Sequence, residues 1–145
     1  NFENTLQRLL EMGALPVINE NDTVATDEIV IGDNDTLAAI VAQSVRADLL
    51  VLLSDIDGLY TADPHKSKDA KIIPLVQEMT EAVLALGGGS ASSQGTGGMG
   101  TKLQAAKICM DCGCEMVIAN GADPENLYGI LDGEHIGTRF RREQL

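Results

Sequence analysis

The sequence is poor in positive charge: ten Lys and Arg stand against 22 Asp and Glu, for a formal net charge of −12 at pH 7. Nucleic-acid surfaces need many Lys and Arg to displace counter-ions from phosphates, so a nucleic-acid partner is not expected. An anionic ligand would need local attraction. No apolar run reaches the roughly eighteen residues of a helical membrane span, and with 44% hydrophobic residues the composition is not that of a disordered chain. Residues 1–13, NFENTLQRLLEMG, have helical spacing at Leu6, Leu9 and Leu10 but lack the basic start and long apolar centre of a secretion signal. A cytoplasmic protein with no membrane partner is expected. The G-x-S-x-G elbow and the paired-histidine metal motif are also missing, which leaves hydrolase and zinc chemistry without motif support. His65 and His135 lie in polar surroundings and read as solvated.

Cysteine is scarce and clustered. Cys109, Cys112 and Cys114 form C-x-x-C-x-C, a pattern open to a metal or redox reading. No further Cys or His group closes a tetrahedral shell, however, and Gly113 follows where a helix C-terminal cap belongs. Buried, reduced thiols are the simpler expectation.

A length of 145 residues points to one domain. The apolar runs 16–18, 49–53 and 116–119 lack polar alternation and read as strands covered on both faces, hence parallel. Residues 36–47 place Leu37, Ile40, Val41, Ser44 and Val45 on one helical stripe, with Asp35 positioned as the cap. A second helix over 101–112 puts Leu103, Ala106 and Met110 on a common face, residues 80–86 read as a short helix, and 24–31 as a small hairpin. The alternation predicts an α/β sandwich.

Three segments can carry chemistry. Residues 95–102 read GTGGMGTK. Bare glycines let main-chain N–H groups turn towards a ligand, and the helix that follows adds its positive end, which suits phosphate oxygens. Lys102 sits in the first helical turn, where the dipole disfavours a cation unless an anion joins it. The string matches G-x-G-x-x-G at Gly95, Gly97 and Gly100, but no strand directly precedes it, and it is not a Walker A loop because Thr101 precedes Lys102. By composition alone, residues 87–100 also read as a flexible linker.

The second segment, residues 19–35, carries Glu20, Asp22, Asp27, Glu28, Asp33 and Asp35 with no Lys or Arg among them. An exposed acidic loop is one reading. Asn19, Asn21 and Asn34 among the acids favour another, a site for an amino-bearing polar substrate at the carboxyl end of a strand. The third segment, SDIDGLYTADP at 54–64, leaves a buried strand with Asp55, Asp57 and Gly58 in a turn.

Taken together, PVINENDTVAT, GDNDTLAA, LLVLLSDIDGLYTADP, GTGGMGTKLQAAK and the closing VIANG and GTRF resemble the glutamate 5-kinases of the amino acid kinase family, over residues 16–138. The resemblance implies a three-layer αβα sandwich with a mainly parallel sheet. It also implies transfer of the γ-phosphate of ATP, accompanied by Mg2+, to the side-chain carboxylate of L-glutamate, the first step of proline synthesis. Carried over by position, Asn19, Asp22 and Asn34 would hold glutamate. Ser54, Asp55, Thr96, Gly97, Gly98, Met99, Gly100, Thr101 and Lys102 would bind the nucleotide. Lys102 would be catalytic, with Asp35 as an organising aspartate, and no protein metal ligands are implied.

Two positions depart from the family's habit, Ser54 where Thr is common and Gly100 where Ser or another residue is frequent. The family's N-terminal phosphate-binding lysine has no counterpart before Asn1, so residues 1–145 are expected to be the C-terminal portion of the kinase domain, inactive alone. A homo-oligomer and feedback inhibition by proline are further family expectations. A related acetylglutamate or uridylate kinase, a non-catalytic amino-acid or nucleotide sensor, and a plain dinucleotide-binding domain remain as alternatives.

Overall fold

The computed structural model describes residues 1–19, 33–88 and 98–143. Helix α1 (Phe2–Glu11) begins at the Asn1 cap, and of its apolar positions only Leu6 is buried. It leads into α2 (Asn34–Ser44), strand β1 (Leu49–Ser54), the short strand β2 (Leu75–Val76), and α3 (Glu81–Ala85), which Thr80 caps. Then come α4 (Met99–Asp111), β3 (Glu115–Asn120), α5 (Asn126–Leu131) and β4 (Thr138–Phe140).

Among the described residues four strands lie in the order β1-β3-β4-β2. β1 pairs parallel with β3, from Leu49 opposite Glu115 to Ser54 opposite Asn120. β2 and β4 are also parallel, while β3 and β4 run antiparallel. β3 is the spine. Its pleat sends Met116 and Ile118 into one core with α2 and α4, and Val117 and Ala119 into a second core with Ile130 of α5. Helices thus cover both faces of a mostly parallel sheet, the three-layer α/β arrangement that the alternating elements predict. Burying Met116, Val117 and Ile118 of β3 contributes about 1.5 to 3 kcal/mol each.

Helix α4 behaves as its periodicity predicts: Leu103, Ala106 and Met110 are buried, and Gly113, at φ +80°, ends it. Its partner differs. α2 and α4 pack together, and the buried residues of α2 are Ala39 and Ala42 rather than the predicted stripe, whose members are only half-buried. Ala105 and Ala106 of α4 lie in the same core. Small side chains on both helices allow a close approach that the bulkier stripe would prevent.

Two strand expectations need correction. Residues 16–18 form no strand: Val17 is 90% exposed, and with no ladder partner among the described residues an apolar run has nothing to make it extended and buried. β1 forms as expected but is not covered on both faces, since Leu53 is 43% exposed at this edge of the sheet. The expected hairpin at 24–31 lies outside the described residues. Among the described residues no helix is long and apolar enough to cross a membrane.

Of the cysteines, Cys109 and Cys114 are buried and reduced as expected, but Cys112, the cap residue of α4, is exposed. Burial, reinforced by its cysteine neighbours, pushes the Cys109 thiol up to about 12, and burial likewise raises Cys114. His65 and His135 are both exposed.

Candidate functional site

Helices α2 and α4 start side by side, and their first turns are joined by side chains. α2 is capped by Asp33, not by Asp35 as the sequence predicts. Asp33 has extended backbone, and its carboxylate accepts from Thr36 N at 2.6 Å and from Thr36 Oγ1 at 2.9 Å. With the cap supplied two residues earlier, the Asp35 carboxylate is free to reach across to α4. There Asp35 Oδ2 accepts from Lys102 Nζ at 3.1 Å and from Thr101 Oγ1 at 2.8 Å. The Thr101 hydroxyl also lies 2.7 Å from the Gly98 carbonyl, so its single hydrogen is shared between the two acceptors.

This junction is mostly enclosed. The Lys102 side chain is 10% exposed and that of Asp35 is 21%. The dipole conflict foreseen for Lys102 is real in geometry, since the residue closes the first turn of α4 with its N–H donating to Gly98 O at 3.3 Å. Asp35 offsets it, and as the second residue of α2 the carboxylate is itself on the favourable side of a helix dipole. Gly98, the N-cap of α4, sits at φ +81° and makes no side-chain cap bond. Only glycine adopts that angle at little cost, and a side chain there would approach both Lys102 Nζ and Thr101 Oγ1, at 3.7 and 3.8 Å.

The turn at Gly113 brings β3 back alongside α4, so the start of α4 and the carboxyl ends of β1 and β3 lie at the same end of the sheet. Open α/β sheets bind ligands at that end. Ser54 Oγ donates to Asp55 Oδ1 at 3.2 Å, and Gly121 N donates to Ser54 O at 2.7 Å. Beyond Asp55 the chain passes over a cleft of about 130 Å³, lined by Ile56, Leu59, Tyr60, Asp63, Leu86 and Met99 among others. Met99 connects this cleft to the helix start that carries Lys102. Asp57 accepts from Asn120 Nδ2 at 2.9 Å and from the Tyr60 hydroxyl at 3.3 Å. Burial, then the Asp57 carboxylate, raises the Tyr60 phenol above its ordinary value.

The structure therefore brings Asp35, Thr101 and Lys102 into direct contact, with Gly98, Met99 and Gly100 in the same turn, and puts Ser54 beside Asp55. Asn34 is exposed as the first residue of α2, and Asn19 is exposed in the segment after α1. Neither is bonded to the Asp35 junction. Asp22, Thr96 and Gly97 lie outside the described residues. Asn120 is a polar residue at this end that sequence reasoning did not single out; the available signal was its position at the last step of an apolar strand.

Two helix starts joined by an acid and a lysine thus lie at the carboxyl end of a mostly parallel sheet, an α/β arrangement suited to an anionic group. The chain belongs to the amino acid kinase family, whose profile matches residues 1–120. It is 56% identical over 140 residues to a glutamate 5-kinase of Caldanaerobacter subterraneus subsp. tengcongensis, a match covering 97% of this chain and 38% of that protein. It is also 59% identical over 133 residues to a glutamate 5-kinase of Paramagnetospirillum magneticum, covering 92% and 36%. The chain thus spans well under half the length of these relatives. Among solved structures, a UMP kinase from Bacillus anthracis matches with a TM-score of 0.67 at 19% identity, covering 98% of this chain and 52% of that one. A Giardia lamblia carbamate kinase bound to AMP-PNP matches at 0.62 and 21%, covering 97% and 44%. At such identities these two establish the fold alone.

Proposed function

We propose that this chain is the C-terminal portion of the kinase domain of a glutamate 5-kinase, which transfers the γ-phosphate of ATP to the side-chain carboxylate of L-glutamate. One carboxylate oxygen attacks the γ-phosphorus, the bond to the ADP oxygen breaks, and γ-glutamyl phosphate forms. The observation that carries the reading is the Asp35–Lys102–Thr101 junction at two helix starts, in a chain 52–59% identical to glutamate 5-kinases.

Phosphoryl transfer needs little covalent chemistry from the protein and much positioning and charge stabilisation. Lys102 would neutralise charge on the transferring phosphoryl group, and Asp35 would hold its ammonium and the Thr101 hydroxyl in place. Backbone N–H groups of Thr96, Gly97, Gly98, Met99, Gly100 and Thr101 would bind phosphate oxygens, with Ser54 and Asp55 on the nucleoside side. The mainly apolar cleft reaching Met99 suits the nucleoside. Asn19, Asp22 and Asn34 would hold glutamate. Mg2+ belongs to the reading as the counter-ion of ATP. Among the described residues no three His, Cys, Asp or Glu side chains converge as a metal site, and no step is routed through a protein-held metal. A cytoplasmic homo-oligomer under feedback by proline completes the proposal, on resemblance alone.

The test is the intact enzyme with ATP and each of glutamate, aspartate, acetylglutamate and UMP. Hydroxylamine traps an acyl phosphate as a coloured hydroxamate, and ADP release reports transfer to UMP. Turnover with glutamate far above the others is expected. No turnover with glutamate, or equal turnover with another acceptor, would overturn the reading.

A further inference from the structure

The segment that walls the cleft, Asp57 to Tyr60, is bridged at Tyr60 to Ile72, with Ile73 N donating to Leu59 O at 2.7 Å, and is held further by two side chains from the sheet. Thr138, the first residue of β4, is fully buried, and its hydroxyl is used in both directions. It accepts from Leu59 N at 2.8 Å and donates to Ile73 O at 2.6 Å. A buried hydroxyl with one donor and one acceptor satisfied is rigidly oriented, and either main-chain partner would be left unpaired without it. The packing is equally close: a Cβ added to Gly58 would fall 2.7 Å from Thr138 Oγ1 and 3.2 Å from Thr138 N. At the other end of the segment, Asn120 at the tip of β3 donates to Asp57 Oδ1. Its own carbonyl oxygens are engaged, since Ala122 N donates to Oδ1 at 2.8 Å and Asn126 Nδ2 to the main-chain oxygen at 3.3 Å. The Asn120 amide group is thus fixed before it reaches Asp57.

We propose that Thr138 and Asn120 are positioning residues for the nucleotide, setting the height of the Asp57 to Tyr60 wall over the cleft from two adjacent strands. This rests on the kinase reading above, in which that cleft takes the nucleoside. Neither residue lines the cleft, whereas Gly58, Leu59 and Tyr60 do. Thr138 acts through Leu59 and Asn120 acts through Asp57. Both tethers anchor to the sheet rather than to the α2 and α4 junction, so they set nucleotide binding separately from the group that carries the chemistry.

The experiment uses the intact enzyme with Thr138→Val, Thr138→Ser and Asn120→Ala, and measures KM for ATP, KM for glutamate, kcat, thermal melting, and ADP affinity by calorimetry. Thr138→Val keeps the shape and removes the hydroxyl. It is expected to raise the ATP KM and ADP Kd about tenfold, equivalent to about 1.4 kcal/mol, with glutamate KM unchanged and kcat within about twofold. Thr138→Ser retains the hydroxyl and should restore wild-type nucleotide binding even where it melts lower. Asn120→Ala should shift the ATP KM in the same direction by about threefold. A folded Thr138→Val with wild-type ADP affinity overturns the proposal. Should that variant not fold, Asn120→Ala decides, and wild-type nucleotide binding in it overturns the proposal too. Failure of the wild type to bind ADP would instead overturn the kinase reading.

Discussion

Replacing Lys102 by methionine keeps most of the aliphatic stem and removes the ammonium group, which separates two consequences. The first is stability. Breaking a fully buried ion pair by removing one partner costs about 3–5 kcal/mol. Here the Asp35 side chain is 21% exposed and keeps the Thr101 hydroxyl at 2.8 Å, so water and that hydroxyl take up its charge. A loss of about 1 kcal/mol is expected, and the variant should fold. The second is chemistry. If the ammonium faces charge that develops on the transferring phosphoryl group, its loss resembles removal of a preorganised donor, worth about 100- to 1000-fold in kcat. The assay is hydroxamate formation by the intact enzyme at saturating ATP and glutamate, with thermal melting run in parallel. A folded variant with kcat within about threefold of wild type, less than about 1 kcal/mol of barrier, would refute the role given to Lys102.

Asp33→Ala removes the carboxylate that accepts from Thr36 N and Thr36 Oγ1 and should destabilise the protein by about 1 kcal/mol in urea unfolding, the usual worth of such a cap. Gly137→Ala should cost about 3 kcal/mol or more in the same measurement, because the left-handed φ of +66° is compounded by a Cβ driven into the Ile118 carbonyl. Folding holds the Cys109 proton to about 12, against an ordinary value of 9.0. Its contribution is therefore full below pH 9 and declines as pH rises towards 12, and Cys109→Ala should flatten that part of the stability–pH curve relative to wild type.

The elements legible in the sequence are those whose burial is periodic and local. The core of β3 and the buried face of α4 follow from apolar spacing, and α3 falls within the short helix expected over 80–86. What escaped detection depends on distant partners. Strands β2 and β4 span two and three residues, too short to carry a period, and exist because each finds a ladder. Residues 16–18 are as apolar as a strand but have no ladder among the described residues. In the site, the error over the cap is instructive. Asp33 and Asp35 both have the chemistry to cap α2, and only the extended backbone at Asp33 decides between them. The family resemblance made Asp35 an organising acid while its position in sequence made it a cap, and the structure allows the first because Asp33 supplies the second. The bonds from Thr138 to Leu59 and from Asn120 to Asp57 join residues 79 and 63 positions apart, which no local pattern announces.

A net charge of −12 and the proposed site for anionic substrates look opposed, yet the relevant fields act over different distances. Exposed charges are screened beyond about 8 Å at physiological ionic strength, so an exposed acid farther away than that contributes little at the α2 and α4 junction. There Asp35 and Lys102 nearly cancel. The Asp33 carboxylate offsets the positive end of α2, and what remains is the uncapped positive end of α4, equivalent to roughly half an elementary charge carried by backbone N–H groups. That charge appears in no count of Lys and Arg and does not titrate. A site of this kind attracts phosphate through short, oriented bonds rather than through a diffuse basic patch. ADP affinity, followed by calorimetry from low to high salt at constant Mg2+, should therefore change little. A steep loss of affinity with salt would mean that exposed cations elsewhere in the protein do the binding, and that the start of α4 does not.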